Sequence, residues 1–187
     1  MLNIVIFLMF MLCSSCMQLS ADIQNAPKKQ ANAVVFDIDS TLTPHPLEFW
    51  KARMDAAKAV KIYADKGYKI IFLSARITIL QTNIPKWLKE NGFPDGDVYV
   101  TETAEDKKDH ARFKTRILQD YLAHGWKVEF AYGDSSTDLD TFAAAGIPKD
   151  RVFALRREGE TFCQPGAWKT CLSGWTEHID SITRESL

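Results

Sequence analysis

Five short apolar runs, rich in β-branched and aromatic residues, recur along this chain with longer amphipathic stretches between them. They cover Ala33–Phe36, Lys69–Leu73, Val98–Thr101, Val128–Tyr132 and Arg151–Leu155. Turn or polar residues lead or follow four of them: Asp37, Gly67, Gly96-Asp97 and Gly133-Asp134. Such runs read as strands buried on both faces. The stretches between them carry apolar residues at helical spacing. Leu47–Lys66 places Phe49, Trp50, Met54, Ala57, Val60 and Tyr63 on one face, with Gly67 as its stop. Ile77–Glu90 is a second expected helix, kinked at Pro85 and closed by Asn91-Gly92. His110–His124 is a third and Asp138–Ala145 a fourth, ending at Gly146. Strand and helix alternating in this way predict an α/β three-layer sandwich around a Rossmann-like parallel sheet.

Composition narrows the class. With 46% hydrophobic and 25% charged residues among 187, disorder and a long coiled coil are poor fits, and the length suits one domain. A formal net charge of −1 gives no support for nucleic-acid binding, which usually leaves a basic excess. No nucleic-acid partner is expected.

The N-terminus reads as a segment outside the fold. Ile4–Leu12 is unbroken apolar, too short for a span, and it meets Cys13-Ser14-Ser15-Cys16. A short apolar stretch before small residues predicts a secretory signal over 1–16, although no Lys or Arg precedes it. Leu12–Cys16 is also similar to a bacterial lipoprotein signal, in which Cys16 would become the lipidated anchor. The Leu stands four rather than three positions before it. Residues 17–32 have a polar tether composition, leaving 33–187 as the domain. Export to the periplasm or cell envelope is the expected destination. It would leave Cys163 and Cys171 as a pair flanking Gln164-Pro165-Gly166, either a disulfide or two buried thiols.

In parallel sheets, ligands bind beyond the carboxyl ends of the strands. Three expected strand ends carry reactive groups: Asp37-Ile38-Asp39-Ser40-Thr41, Ser74-Ala75-Arg76, and Gly133-Asp134-Ser135-Ser136-Thr137-Asp138. Asp37 and Asp39 are two apart and can face one crevice. Carboxylates that close repel unless a cation or a shared proton relieves them, and Asp134 adds a third.

Asp37–Thr43 is similar to the first motif of the haloacid dehalogenase superfamily, mostly Mg²⁺-dependent phosphohydrolases. Ser74 matches its second motif, and Asp134 with Asp138 its fourth. The run also resembles the catalytic domain of lipin-type phosphatidate phosphatases (LNS2-like). There Leu73–Arg76, Phe113-Lys114 and Gly146-Ile147-Pro148 match short family motifs, while Ser40 stands where that family usually has Gly. The resemblance implies that Asp37 is the nucleophile, forming an aspartyl-phosphate, and that Asp39 is the general acid/base. It implies Mg²⁺ held by Asp37, Asp134 and the Asp39 backbone carbonyl. Ser74 and a lysine would bind the phosphate. Lys114 is favoured for that lysine because it follows the matched Phe early in a helix, with Lys108 as the fallback. Thr41, Asp138 and Arg76 are supporting residues. Each has a plainer reading: Ser74 and Asp138 as helix caps, Arg76 as a surface ion pair. His45, between Pro44 and Pro46, is a candidate substrate contact.

Members of this superfamily often carry an inserted cap domain. The 36 residues between Asp37 and Ser74, and the 39 between Ser74 and Lys114, are used by the expected helices, strands and the charged loop Glu102–Asp109. The chain is therefore expected to be capless, with an open site suited to a phosphate presented by something large. Three functions compete. The first is a Mg²⁺-dependent phosphomonoester hydrolase acting on a phosphatidate-like phospholipid. The second is a capless enzyme for small soluble phosphomonoesters. The third is a non-catalytic phospholipid-sensing module, against which the intact Asp37/Asp39 pair argues.

Overall fold

The computed structural model describes residues 23–29 and 31–184, so the expected signal at 1–16 and residues 17–22 of the tether lie outside the described residues. Its centre is one six-stranded parallel sheet. The strands are β1 (Asn32–Asp37), β2 (Lys69–Ser74), β3 (Asp97–Val100), β4 (Lys127–Gly133), β5 (Val152–Leu155) and β6 (Thr170–Leu172), in spatial order β3-β2-β1-β4-β5-β6. The order reverses direction at β1, whose neighbours are β2 and β4. That is the switch point where a parallel sheet opens a crevice at its carboxyl edge.

Both faces of the sheet are covered, which is why its central strands carry apolar residues pointing to both sides rather than alternately. On one face Val34, Phe36, Phe72 and Tyr132 pack against α1 (Ala56–Asp65), α3 (Ile84–Glu90) and α7 (Ile179–Arg184). On the other, Val35, Leu73 and Ala131 meet α5 (His110–Ala123) and α6 (Ser136–Ala144). The expected three-layer α/β sandwich is the observed one. Three central strands run one residue further than the apolar pattern indicates, ending on Asp37, Ser74 and Gly133. Chemistry-bearing residues thus sit at the last hydrogen-bonded positions of the sheet, where the backbone is held.

Four expectations change. The helix expected over Leu47–Lys66 is a single 3₁₀ turn at Pro46–Glu48, a non-helical stretch, and then α1 from Ala56. Leu47, Trp50 and Met54 are exposed, and Asp55 at φ +60° breaks the helical path. A helical period without a surface to pack on does not hold a helix. Ile77–Glu90 is two helices, α2 (Thr78–Gln81) and α3, because Pro85 occupies the first turn of α3. There its missing N–H costs nothing, so it starts a helix rather than kinking one. The loop Glu102–Asp109 holds α4 (Ala104–Lys108), opened by a capping box between Thr103 and Asp106. Finally, β6 is a short edge strand of which only Leu172 is buried, too little apolar pattern to see in sequence.

Residues 23–29, read as tether, lie against the domain. Ala26 N donates to His124 O at 2.9 Å, Trp126 Nε1 donates to Gln24 O at 2.7 Å, and Ile23 packs on the α5 side of the core. Cys163 and Cys171 are disulfide-bonded, which resolves the two readings of that pair. Among the described residues, no helix is long and apolar enough to cross a membrane.

Candidate active site

The loop after β1 makes the first wall. Leu42 N and Thr43 N both donate to Ile38 O, and Ser40 N donates to Thr43 Oγ1 at 2.9 Å, closing residues 38–43 into one tight turn. The turn needs Ser40 at φ +62°, a left-handed conformation that glycine adopts without strain and serine does not. This is a physical reason for the Gly that the lipin-type resemblance leads one to expect there. It also fixes Asp37 and Asp39 relative to each other.

The second wall comes from β4 and α6. Gly133 is required by space, since a Cβ there would lie 2.5 Å from the Cβ of Asp138. That close approach brings Asp134 and Asp138 beside Asp37, and the three carboxylates present oxygens within 4.8 Å of one another. Asp138 joins the cap of α6 and also meets the lysine. Its Oδ2 accepts from Ser135 N (3.2 Å) and Ser135 Oγ (2.6 Å), capping α6, while its Oδ1 accepts from Lys114 Nζ at 2.6 Å.

Lys114, from the first turns of α5, is buried and also donates to Asp37 Oδ1 at 2.5 Å. Lys108 is exposed at the end of α4, so Lys114 is the lysine that the fold brings to the acids. Burial alone would push the Lys114 pKa down. Asp138 and Asp37 more than offset it, so the ammonium keeps its charge. For Asp37, burial and then repulsion from Asp138 hold the carboxyl well above its usual range, against the pull of Lys114. Asp134 is raised to about 6 by burial and then by Asp138. In Asp138 the burial effect is outweighed by Lys114 and Ser135, and its pKa falls. Three buried acids around one lysine are short of positive charge.

Asp39 leans toward β2. Its Oδ1 accepts from Arg76 Nε at 2.9 Å, with Arg76 Nη2 at 2.8 Å, and its Oδ2 accepts from Ser74 Oγ at 3.0 Å. Arg76 is therefore buried against Asp39 rather than in a surface pair. Ser74 Oγ also accepts from Arg76 N at 3.1 Å, and Ser74 is fully buried. It orders the turn after β2 but caps no helix, and Ala75 and Arg76, not Ser74, line the cleft. Thr41 Oγ1 reaches Asp134 Oδ1 at 3.5 Å. His45 is spent on its own turn, accepting from Leu47 N at 3.1 Å, and is not among the cleft residues.

One site residue is invisible to the motif reading. Arg157, just past β5, donates from Nε to Asp134 Oδ2 at 2.5 Å and lines the cleft. The signal was Arg156-Arg157 at a further strand end, beside the three already singled out. The cleft has a volume of about 440 Å³, within the range of small-ligand sites. Leu47, Phe49, Ile77 and Leu80 form its apolar side.

The acids fit a hard divalent cation. Asp37 Oδ2 is buried without any hydrogen-bond partner, a costly arrangement for a carboxylate unless a cation meets it. Asp37 and Asp134, with Asp138 beside them, are the side chains in reach.

The family described as "PITM 1-3, LNS2 domain" matches residues 34–156. Among curated relatives, Drosophila melanogaster protein retinal degeneration B is 28% identical over 155 residues, 80% of this chain and 12% of its own length. Human membrane-associated phosphatidylinositol transfer protein 3 is 25% identical over 61% of the chain, again 12% of its own length. Human phosphatidate phosphatase LPIN3 is 26% identical over 68% of the chain and 18% of its own. The chain thus corresponds to a small part of these relatives. Among solved structures, the D,D-heptose 1,7-bisphosphate phosphatase of B. bronchiseptica, complexed with magnesium and phosphate, superposes with a TM-score of 0.60 at 14% identity. The match covers 83% of this chain and 99% of that one. The phosphoserine phosphatase of T. onnurineus superposes at 0.53 with 16% identity, covering 86% and 98%. These likenesses show the fold, and the family match spans more than half of the sequence. The chain belongs to the LNS2 domain family and has the haloacid dehalogenase-type fold.

Proposed function

We propose that this domain is a Mg²⁺-dependent phosphomonoester hydrolase working through an aspartyl-phosphate on Asp37. The observation that carries the reading is the junction of Asp37, Lys114, Asp134 and Asp138 at the switch point of the sheet, with one Asp37 oxygen unpartnered. Asp37 attacks phosphorus, the bond to the leaving oxygen breaks, and Asp39 gives that oxygen a proton. Water then attacks phosphorus, Asp39 takes its proton, and the bond between Asp37 and phosphorus breaks to release phosphate. For both transfers Asp39 must turn from Arg76 and Ser74, which frees the Ser74 hydroxyl for a phosphoryl oxygen. Lys114 holds Asp37 in line and offsets charge on the transferring group. Asp37, Asp134 and the Asp39 carbonyl would hold Mg²⁺, and a bound Mg²⁺ supplies neutralisation of phosphoryl charge.

The substrate we propose is a phosphatidate-like phospholipid. Support comes from the apolar side of the cleft and from relatives whose names include phosphatidate phosphatase and phosphatidylinositol transfer. We further propose that the domain is exported, with Cys16 as a lipid anchor. The Cys163–Cys171 bond, which suits an oxidising compartment, supports the export.

The test is Asp37→Asn, which keeps shape and removes the nucleophilic charge. Phosphate release from phosphatidate in mixed micelles should fall by more than about a thousand-fold, with the thermal midpoint no lower than wild type. Chelation should mimic the loss and Mg²⁺ should restore it. Turnover surviving in Asp37→Asn removes the mechanism. Binding of phosphatidate by wild type without release would favour the sensing role.

A further inference from the structure

Seven large apolar side chains are exposed among the described residues, and five of them come from two short segments: Leu47, Trp50 and Met54 after β1, and Ile77 and Ile79 after β2. Leu47 is 73% exposed, Ile79 78% and Met54 80%. Single exposed apolar residues are ordinary, but a cluster on neighbouring loops is not. The two segments also share a root. The Phe49 ring packs edge-on against Trp50 with centroids 5.0 Å apart, and carries the Arg76 guanidinium over its face at 5.7 Å. Arg76 in turn grips Asp39. Arg53 fastens the far end of the first segment through Thr43 O (3.1 Å) and Arg156 O (2.7 Å). The apolar tips are therefore mounted on a held frame, although the segment contains little regular structure.

Position decides what can cover them. Leu47 and Ile77 line the same cleft as Asp37, Asp39 and Lys114, so the apolar rim is continuous with the wall of the phosphate site. Any surface that seats on the rim must leave the cleft open and present a phosphomonoester at its centre. A bilayer containing an anionic monoester lipid does both: acyl chains meet the rim and the head group enters the cleft. A second copy of the chain would close the mouth and supply no phosphate.

We propose that the segments 47–54 and 77–80 form an interfacial rim that inserts into a lipid bilayer and seats the cleft over the head-group layer. The proposal deepens the phosphomonoesterase reading and rests on it for the identity of the head group. Insertion of Trp50 and Met54 on one side and Ile79 on the other buries apolar surface now in water, the driving force for interfacial binding.

Trp50 is the only exposed tryptophan among the described residues, and so reports on insertion. With vesicles of phosphatidylcholine plus phosphatidate, wild-type fluorescence should shift to the blue and be quenched by brominated acyl chains. The double variant Met54→Asp/Ile79→Asp alters two exposed rim residues outside the cleft. It should lower vesicle partitioning at least about tenfold while keeping its thermal midpoint and its turnover of a soluble aryl phosphate. Equal partitioning of variant and wild type overturns the proposal, as does the absence of any Trp50 shift on vesicles. A concentration-dependent dimer that the double variant abolishes would overturn it in favour of a self-interface. If the wild type partitions but hydrolyses neither soluble nor vesicle-borne phosphomonoester, the rim stands and the enzymatic reading falls.

Discussion

Two buried polar clusters lie on either side of the central strands, and they are built on opposite rules. Beyond the carboxyl ends of β1 and β4, Asp37, Asp134 and Asp138 surround Lys114, with Arg157 at the edge. Beneath the same strands, on the α1 side, Tyr63 and Tyr132 share a hydrogen bond at 2.6 Å and Tyr132 meets His178 Nε2 at 3.0 Å. Stacked rings of Phe36 and Phe153 enclose Tyr132 on both faces. The second cluster is neutral, and its hydroxyls are paired. The first is crowded with like charge and leaves an Asp37 oxygen unpaired. Neutral buried networks that satisfy their own groups hold a fold together, whereas an unbalanced one is kept for what it can bind.

The sharpest way to break this contrast is to remove the cation of the first cluster. Lys114→Met would leave Asp37 and Asp138 facing each other in the interior. Loss of one partner from a buried ionic group costs about 3–5 kcal/mol, so urea unfolding in chelator should show a fall of that size. Divalent cation should recover part of it. A stability loss under about 1 kcal/mol would mean that the acids are already protonated and that the lysine relieves nothing.

A smaller effect separates the clusters from the loop between β5 and β6. Cys163 and Cys171 are eight residues apart, and closing so short a loop contributes about 2–3 kcal/mol through the unfolded chain. The variant Cys163→Ala/Cys171→Ala should lose that much in urea unfolding. Arg157 lies outside the closed segment, so soluble-substrate turnover should change little. A large drop in turnover would show that the loop holds the crevice as well as the fold.

How much of this was legible in the sequence follows from the same physics. Strands β1 and β2 are buried on both faces and read as apolar runs, β4 is broken only by Glu129, and the polar residues at their ends, Asp37, Ser74 and Asp134, stand out. Lys114 was reachable because its motif placed it on α5. For Ser74 the sequence does not tell whether the hydroxyl faces a cleft or a neighbouring carboxylate; here it donates to Asp39, the contact that Asp39 gives up in the proposed reaction. Arg157 carries no motif, and a basic pair after a strand usually means solvent, yet here it meets Asp134. The first part of the helix expected over Leu47–Lys66 does not form for a deeper reason: periodicity records which side chains could share a face, not whether anything lies opposite. Among the described residues Leu47, Trp50 and Met54 stay exposed, which is the surface that the proposed rim uses.

The finest test reads the neutral cluster by pH. His178 is buried among Tyr132, Phe153 and Trp175, and burial, then the Lys169 charge, lowers its pKa from 6.5 to about 4. The folded protein therefore binds a proton there less readily than the unfolded chain. Its contribution to stability is complete above pH 6.5 and is lost as pH falls toward 4. Allowing for screening, the amount is about 1–2 kcal/mol. Asp37 and Asp134 act in the opposite sense over part of this window, because their folded-state pKa values are raised. Comparison of wild type with His178→Gln cancels them, since both proteins keep the acids. Glutamine can still accept from the Tyr132 hydroxyl but does not titrate. The stability difference between the two proteins should favour wild type more at pH 7.5 than at pH 4.5, by that 1–2 kcal/mol. A difference that stays flat between these two pH values would mean that His178 is protonated as easily inside the fold as outside it, and the cluster beneath the strands would not be the neutral one.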